Sequence, residues 1–291
     1  MNKIHHTLLL TLFIALLAAS CGSTRFSKPP LAKPKYRALS AADKQLADTL
    51  IKKVLDNEGI FTVLSGLKPM SSVTELYLMI TKGDTLLRGK RQITDTTAED
   101  LQKLKQYQAV VNALNFGDLK FMISPYRHTE KNTRLMQISV HRRSLIDSLL
   151  GAELAFFGQF GFVPGTRPEI LINTTEYEHK YNRFRAYGYL FGYPVHAVDF
   201  FTEASISTDK TGAFVKRDFF QIPVYSASKG HFVYAVPQGY RPTEIDSNIL
   251  KRAAFYLSRY EKLRHKAERP DGSVNYYSLL KKLNSTCRTK K

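Results

Sequence analysis

The residues with the most chemical potential lie in one stretch, Glu176–Phe201, which reads EYEHKYNRFRAYGYLFGYPVHAVDFF. His196 and Asp199 stand three apart, so on a helix beginning at Pro194 they would share a face. A carboxylate beside an imidazole sets its tautomer and favours its protonated form, a step towards general-base or ligand duty. Just before them Gly192-Tyr193-Pro194 interrupts the helical spacing. A helix restarted there exposes backbone amides and partial positive charge in its first turn. Tyr189 and Tyr193 would add apolar walls with hydroxyl donors, and Arg183 or Arg185 a further cation. The chemistry expected of this set is capture of a small anionic group, or hydrolysis if another element brings a second polar group to His196. The competing reading is a structural pair, since a chain with eight histidines places some near carboxylates by chance.

Two further arrangements bear on binding. Tyr177, Tyr181, Phe184, Gly188 and Phe191 fall on one helical face. They read as a core stripe, with Gly188 permitting close packing, or as an aromatic groove rimmed by Glu176, His179, Arg183 and Arg185. His141-Arg142-Arg143 lies at an expected strand-to-helix junction, where backbone amides and the guanidiniums of Arg142 and Arg143 could hold a phosphate or carboxylate, the competing reading being a solvated basic turn. Gly66-Leu67-Lys68-Pro69 is a second basic turn, and the two turns face to face would make an anion site. No glycine-rich phosphate loop, HExxH, paired-cysteine metal site or GxSxG elbow occurs, so the sequence implies no cofactor or metal and names no reaction.

Address is written more clearly than chemistry. Lys3 is followed by an apolar run, Leu8–Ala19, broken only by Thr11, and then by Ser20-Cys21. Twelve residues are too few for a spanning helix, which needs ~20, and fit a cleaved export signal. The small residues Ala18-Ala19-Ser20 before Cys21, with Leu17 just upstream, resemble the lipobox of bacterial lipoprotein precursors. The resemblance implies cleavage before Cys21, diacylglycerol on its thiol and acylation of its new amino group. Gly22, in place of the aspartate that retains some lipoproteins at the inner membrane, implies an outer-membrane anchor facing the periplasm. It covers residues 1–22 and carries nothing about the rest.

The chain has 291 residues and a net charge of +18, of which residues 1–20 hold only Lys3. Such a charge favours anionic surfaces. An exported protein seldom meets nucleic acid, so the expected partners are the membrane itself, through the lipid, and an anionic envelope polymer or a protein. With Cys21 lipidated, Cys287 has no partner in the chain, so the fold is built without a disulfide. Tryptophan is absent, which counts against a sugar-binding module, although 16 tyrosines could take its place.

The elements that must position these groups are read as follows. Residues 1–20 are the signal, 21–37 a lipidated flexible tether, 38–284 a globular domain and 285–291 a basic tail. Ser40 with Asp43 caps a helix through Leu55. Ile60–Leu64 reads as a short strand, and Glu75–Thr81 with Thr85–Ile93 as a hairpin around Lys82-Gly83-Asp84. A helix follows through Leu101 and Leu114, then strands Leu119–Ser124 and Arg134–His141 around a polar loop at 126–133. A helix from Ser144, a strand at Glu169–Asn173, helical segments across 176–203, a second hairpin at 216–236 and a long helix capped by Thr243 and Asp246 complete the body, with a last helix near 274–283. This mingling without regular βαβ alternation predicts an α+β fold: a single compact domain with two or more antiparallel hairpins and about five or six helices. The function expected is a binding or structural envelope lipoprotein; the alternatives are an envelope hydrolase near His196 and Asp199, and a small-ligand carrier with an aromatic pocket.

Overall fold

Apolar side chains spaced at three and four, and strands whose two faces are both covered, set the architecture. The computed structural model describes residues 35–87 and 91–286. The expected signal, Cys21 and nearly all of the tether and tail lie outside the described residues. Those described belong to one compact unit that begins at Pro34.

Helix α1 (Ala41–Asp56) opens as its sequence foretells, with the Ser40 hydroxyl accepting the Asp43 amide at 3.1 Å. Its stripe Leu50, Ile51, Val54 and Leu55 is wholly buried. Strand β1 (Met70–Leu78) does not fold back on the next segment. It pairs antiparallel with β6 (Thr133–Arg142), which pairs with β5 (Leu119–Glu130), and β5 with the short β4 (Asn115–Phe116). The order β1-β6-β5-β4 makes a four-stranded sheet. The small ribbon of β2 (Thr81–Gly83) and β3 (Gln92–Thr94) stands apart, so Lys82 and Gly83 are strand residues rather than a turn.

One sheet face, through Leu76, Leu78, Phe121, Ile138 and Val140, joins the main core with α1, the long helix α8 (Glu244–Ala267) and α9 (Tyr276–Thr286). The other face, through Met70 and Met122, meets a second core made with α3 (Arg143–Ala152), α5 (Pro168–Tyr177), α6 (Lys180–Leu190) and α7 (Val195–Thr211). Helices α2 (Asp100–Ala113) and α4 (Leu154–Phe157) complete nine among the described residues. The hairpin of β7 (Arg217–Ile222) and β8 (Phe232–Pro237) forms as expected and lies against α7. The α+β class is what the chain adopts.

Two expected strands are helical. Ile60–Leu64 lies in a π-helical turn, Phe61–Ser65, ended by Gly66 at φ +66°. A short apolar run buried on every side has no period to separate strand from helix. Glu169–Asn173 lies in α5, where Pro168 occupies the first turn, a position that suits proline because its missing N–H needs no partner there.

Candidate functional site

The site is built by two irregularities of the sheet and one of the helices. In the β1–β6 pairing the register slips at Val73, and in β5–β6 it slips between Pro125 and Thr129. Bulges re-aim side chains. Val73 and Tyr126 line the same cavity, of about 520 Å³, with Asn57, Glu58, Ser72, Thr74, Glu75, Gln137, Gly230 and His231. Tyr187 and Phe191, stacked with centroids 5.6 Å apart and planes at 14°, form its apolar wall.

Its polar groups are held in place. Glu75 accepts the hydroxyls of Tyr77 at 2.9 Å and Tyr126 at 3.1 Å. Burial and the Glu75 carboxylate together push the Tyr126 hydroxyl far up, so it stays a donor. Gln137, only 7 % exposed, donates to the Ser72 hydroxyl at 2.7 Å. Asn57 donates to the Lys53 carbonyl at 2.8 Å and accepts the Ser226 hydroxyl at 2.6 Å.

Behind Glu58 stands Lys68, which is completely buried. Its Nζ lies 3.0 Å from the Glu58 carboxylate and over the rings of Phe232 at 4.2 Å and Phe191 and Tyr193 at 5.2 Å each. Burial drives the Lys68 amine down from its ordinary value, and Glu58 opposes that. The carboxylate and the ring faces replace the water the ammonium loses.

A second cavity, of about 290 Å³, shares the Tyr187–Phe191 pair and is walled by Phe184, Tyr187, Gly188, Phe191, Tyr193 and Phe201 from the helices and their junction and by Phe219, Val233, Tyr234 and Ala235 from the hairpin. Alternate strand residues Phe219, Val233 and Ala235 roof it, as the two-residue period of a strand requires. Helices α6 and α7 cross closely at Gly188, where a β-carbon would meet Val198 at 2.8 Å. A third recess, of about 680 Å³, is lined by Tyr126, Arg127, His128, Glu176, Arg183, Phe184 and Tyr187. Glu176 anchors its floor, accepting the Arg127 amide at 2.9 Å and the Tyr187 hydroxyl at 2.7 Å. Tyr187 borders all three spaces.

The residues singled out in the sequence are dispersed. Tyr193 lines the aromatic cavity and Arg183 the third recess. His196 does not pair with Asp199. Its Nε2 lies 3.2 Å from the Asp246 carboxylate and 3.1 Å from the Tyr240 hydroxyl. Asp199 pairs instead with Arg185. Burial pushes the Asp246 carboxyl up, but hydrogen bonds from Tyr234 and Tyr240, at 2.6 Å each, and from the Thr243 amide and hydroxyl win and hold it at about 2. The expected helix cap at Thr243 and Asp246 is therefore also the acceptor beside His196.

The two basic turns touch through backbone, the Arg142 amide donating to the Pro69 carbonyl at 3.0 Å, but their cations are otherwise engaged. Arg142 is buried on Asp118, Asn284 and the carbonyls of Thr62 and Val63. Arg143 pairs with Asp147 at 3.8 Å, and Lys68 with Glu58. The aromatic stripe is half right. Phe184, Gly188 and Phe191 line the cavity, while Tyr181 bonds Asp209 and Tyr177, on α5, bonds Arg134.

Among the described residues no group of three His, Cys, Asp or Glu side chains is placed to hold a metal ion, and no helix is long and apolar enough to cross a membrane. No family model, curated protein or solved structure matches the chain.

Proposed function

We propose that this chain is an envelope lipoprotein, held on a membrane through acyl chains on Cys21, whose body binds a small apolar or amphipathic ligand. The observation that carries the binding half is the cavity of about 290 Å³ between α6, α7 and the β7–β8 hairpin. Its walls are seven aromatic rings, five of α6, α7 and their junction and two of the hairpin, with Val198, Val233, Ala197 and Ala235 between them. Phe219, 55 % exposed, stands at its mouth. An apolar pocket of this kind rewards entry of a ring or a short alkyl chain by removing both surfaces from water. Arg217, 4.5 Å from the ring of Phe214 and 5.6 Å from that of Phe201, offers a cation near the mouth for an acidic end.

The anchoring half rests on the Ala18–Cys21 motif. The net charge of +18 suits an anionic leaflet or envelope polymer, each lysine near such a surface contributing about 1 kcal/mol. A hydrolase at His196 is less well supported, because the carboxylate beside it already accepts four hydrogen bonds.

The test is titration of the full chain, in detergent, with the uncharged fluorescent probe N-phenyl-1-naphthylamine. Saturable enhancement is expected, reduced at least tenfold by Val233→Trp, which fills the cavity from the strand side. Equal enhancement by both proteins would overturn the ligand reading. Labelling with a lipid analogue, lost in Cys21→Ala, tests the anchor.

A further inference from the structure

The cavity of about 520 Å³ is lined by more polar groups than its aromatic neighbour, and the two share the Tyr187–Phe191 pair. Its polar wall presents two carboxylates (Glu58, Glu75), two carboxamides (Asn57, Gln137), two hydroxyls (Ser72, Thr74), a phenol (Tyr126) and an imidazole (His231). Donors and acceptors thus line one space together with the stacked rings of Tyr187 and Phe191. We infer that this cavity is a saccharide-binding site, taking an uncharged, hydroxyl-rich sugar with one ring face laid on Tyr187 and Phe191.

Apolar and anionic ligands fit worse. An acyl chain or aromatic ring would strip water from the carboxylates and carboxamides without replacing their hydrogen bonds, a penalty no apolar contact here offsets. A phosphate or carboxylate ligand would meet Glu58 and Glu75; of the cations beside the lining, Lys68 is sealed behind Glu58 and three rings, and Lys53 already donates to the Thr74 hydroxyl at 3.0 Å. A sugar ring satisfies both halves. Its hydroxyls donate to carboxylates and accept from amides, and its apolar C–H face covers the rings.

The groups are also fixed before any ligand arrives. Glu75 is tied by Tyr77 and Tyr126, Gln137 to Ser72, Asn57 to Ser226 and Glu58 to Lys68. Little side-chain freedom remains to be lost on binding, which is how such a site gains affinity from modest contacts. Both sheet bulges, at Val73 and at 126–128, open onto this space. A regular ladder would have no reason to break twice beside one cavity.

The probe is the trimer of N-acetylglucosamine, titrated calorimetrically into the full chain in detergent, with tetramethylammonium chloride as a cationic comparison. Saturable heat with the trimer is expected, and at least tenfold weaker binding in Glu75→Gln, a conservative change at an exposed residue. Val73→Trp, which occupies the cavity from the bulge, should abolish it while N-phenyl-1-naphthylamine binding persists. That contrast separates this site from the aromatic cavity. Absence of heat with the trimer, trimer binding unchanged in Glu75→Gln, or binding of the ammonium alone would each overturn the inference.

Discussion

Gly192 lies against the carbonyl of Leu67 so closely that a β-carbon on residue 192 would stand 2.0 Å from that oxygen. The contact is backbone to backbone, and φ at Gly192 is +73°. The interruption between α6 and α7 is therefore a socket for the turn that delivers Lys68. Gly192→Ala should cost about 3 kcal/mol or more, because strain and clash act together and neither side is a flexible chain end. Urea unfolding of the variant checks this; a loss below about 1 kcal/mol would show that the turn can retreat.

Lys68 and Glu58 should respond unequally to being parted. Glu58→Gln leaves an ammonium with no carboxylate and no water, a situation that costs about 3–5 kcal/mol. Lys68→Met leaves a carboxylate that is 14 % exposed and lines the cavity of about 520 Å³, and puts an apolar chain among three rings. Its cost should be under about 1.5 kcal/mol. The double variant should be far more stable than the sum of the two losses predicts. Equal single losses, measured by chemical denaturation, would contradict the asymmetry.

Acid should weaken the fold in two separate steps. Burial drives His141 from 6.5 down to about 4, with Glu169 opposing, and neither ring nitrogen has a hydrogen-bond partner among the described residues. The unfolded chain takes up that proton below about 6.5 and the folded one only near 4, so stability falls by about 3 kcal/mol across that interval as pH drops. Asp246, depressed from 3.8 to about 2, contributes stability that is present above 3.8 and lost towards 2, about 2 kcal/mol in all. In His141→Leu the upper step should vanish and the lower one remain. Stability curves at pH 7, 5.5, 4 and 2 decide it.

His196 should couple to Asp246 and not to Asp199. Single and double substitutions of His196→Ala with Asp199→Asn are expected to add within about 0.5 kcal/mol, since the two have different partners. His196→Ala with Asp246→Asn should depart from additivity by about 1 kcal/mol, the usual size for one shared hydrogen-bond network. The reverse pattern would restore the pairing that sequence spacing implies.

Local signals were legible in the sequence, and long-range partners were not. The Ser40 and Thr243 caps, the α1 stripe and the 217–237 hairpin are written within a few residues of one another, and all formed. The Phe184, Gly188 and Phe191 face was visible for the same reason. His196 went to Asp246, fifty residues on, because a helix restarted at Pro194 leaves the i+3 carboxylate free to meet Arg185 on the preceding helix. Lys68 read as part of a basic turn, since nothing beside it foretells the rings of Phe191, Tyr193 and Phe232. Glu58, Glu75 and Gln137 gave no sign at all. They come together only when β6 lies between β1 and β5 and both of its ladders slip.

The stacked pair of Tyr187 and Phe191 is one partition serving two chambers. A molecule settling on either face restricts the same two rings, so the conformational freedom they lose is lost once, whichever side fills first. The second arrival meets a wall already ordered, and by linkage each occupant then strengthens the other by the same factor. Were both spaces filled, Tyr187 would let this small body register two unlike molecules as a single event.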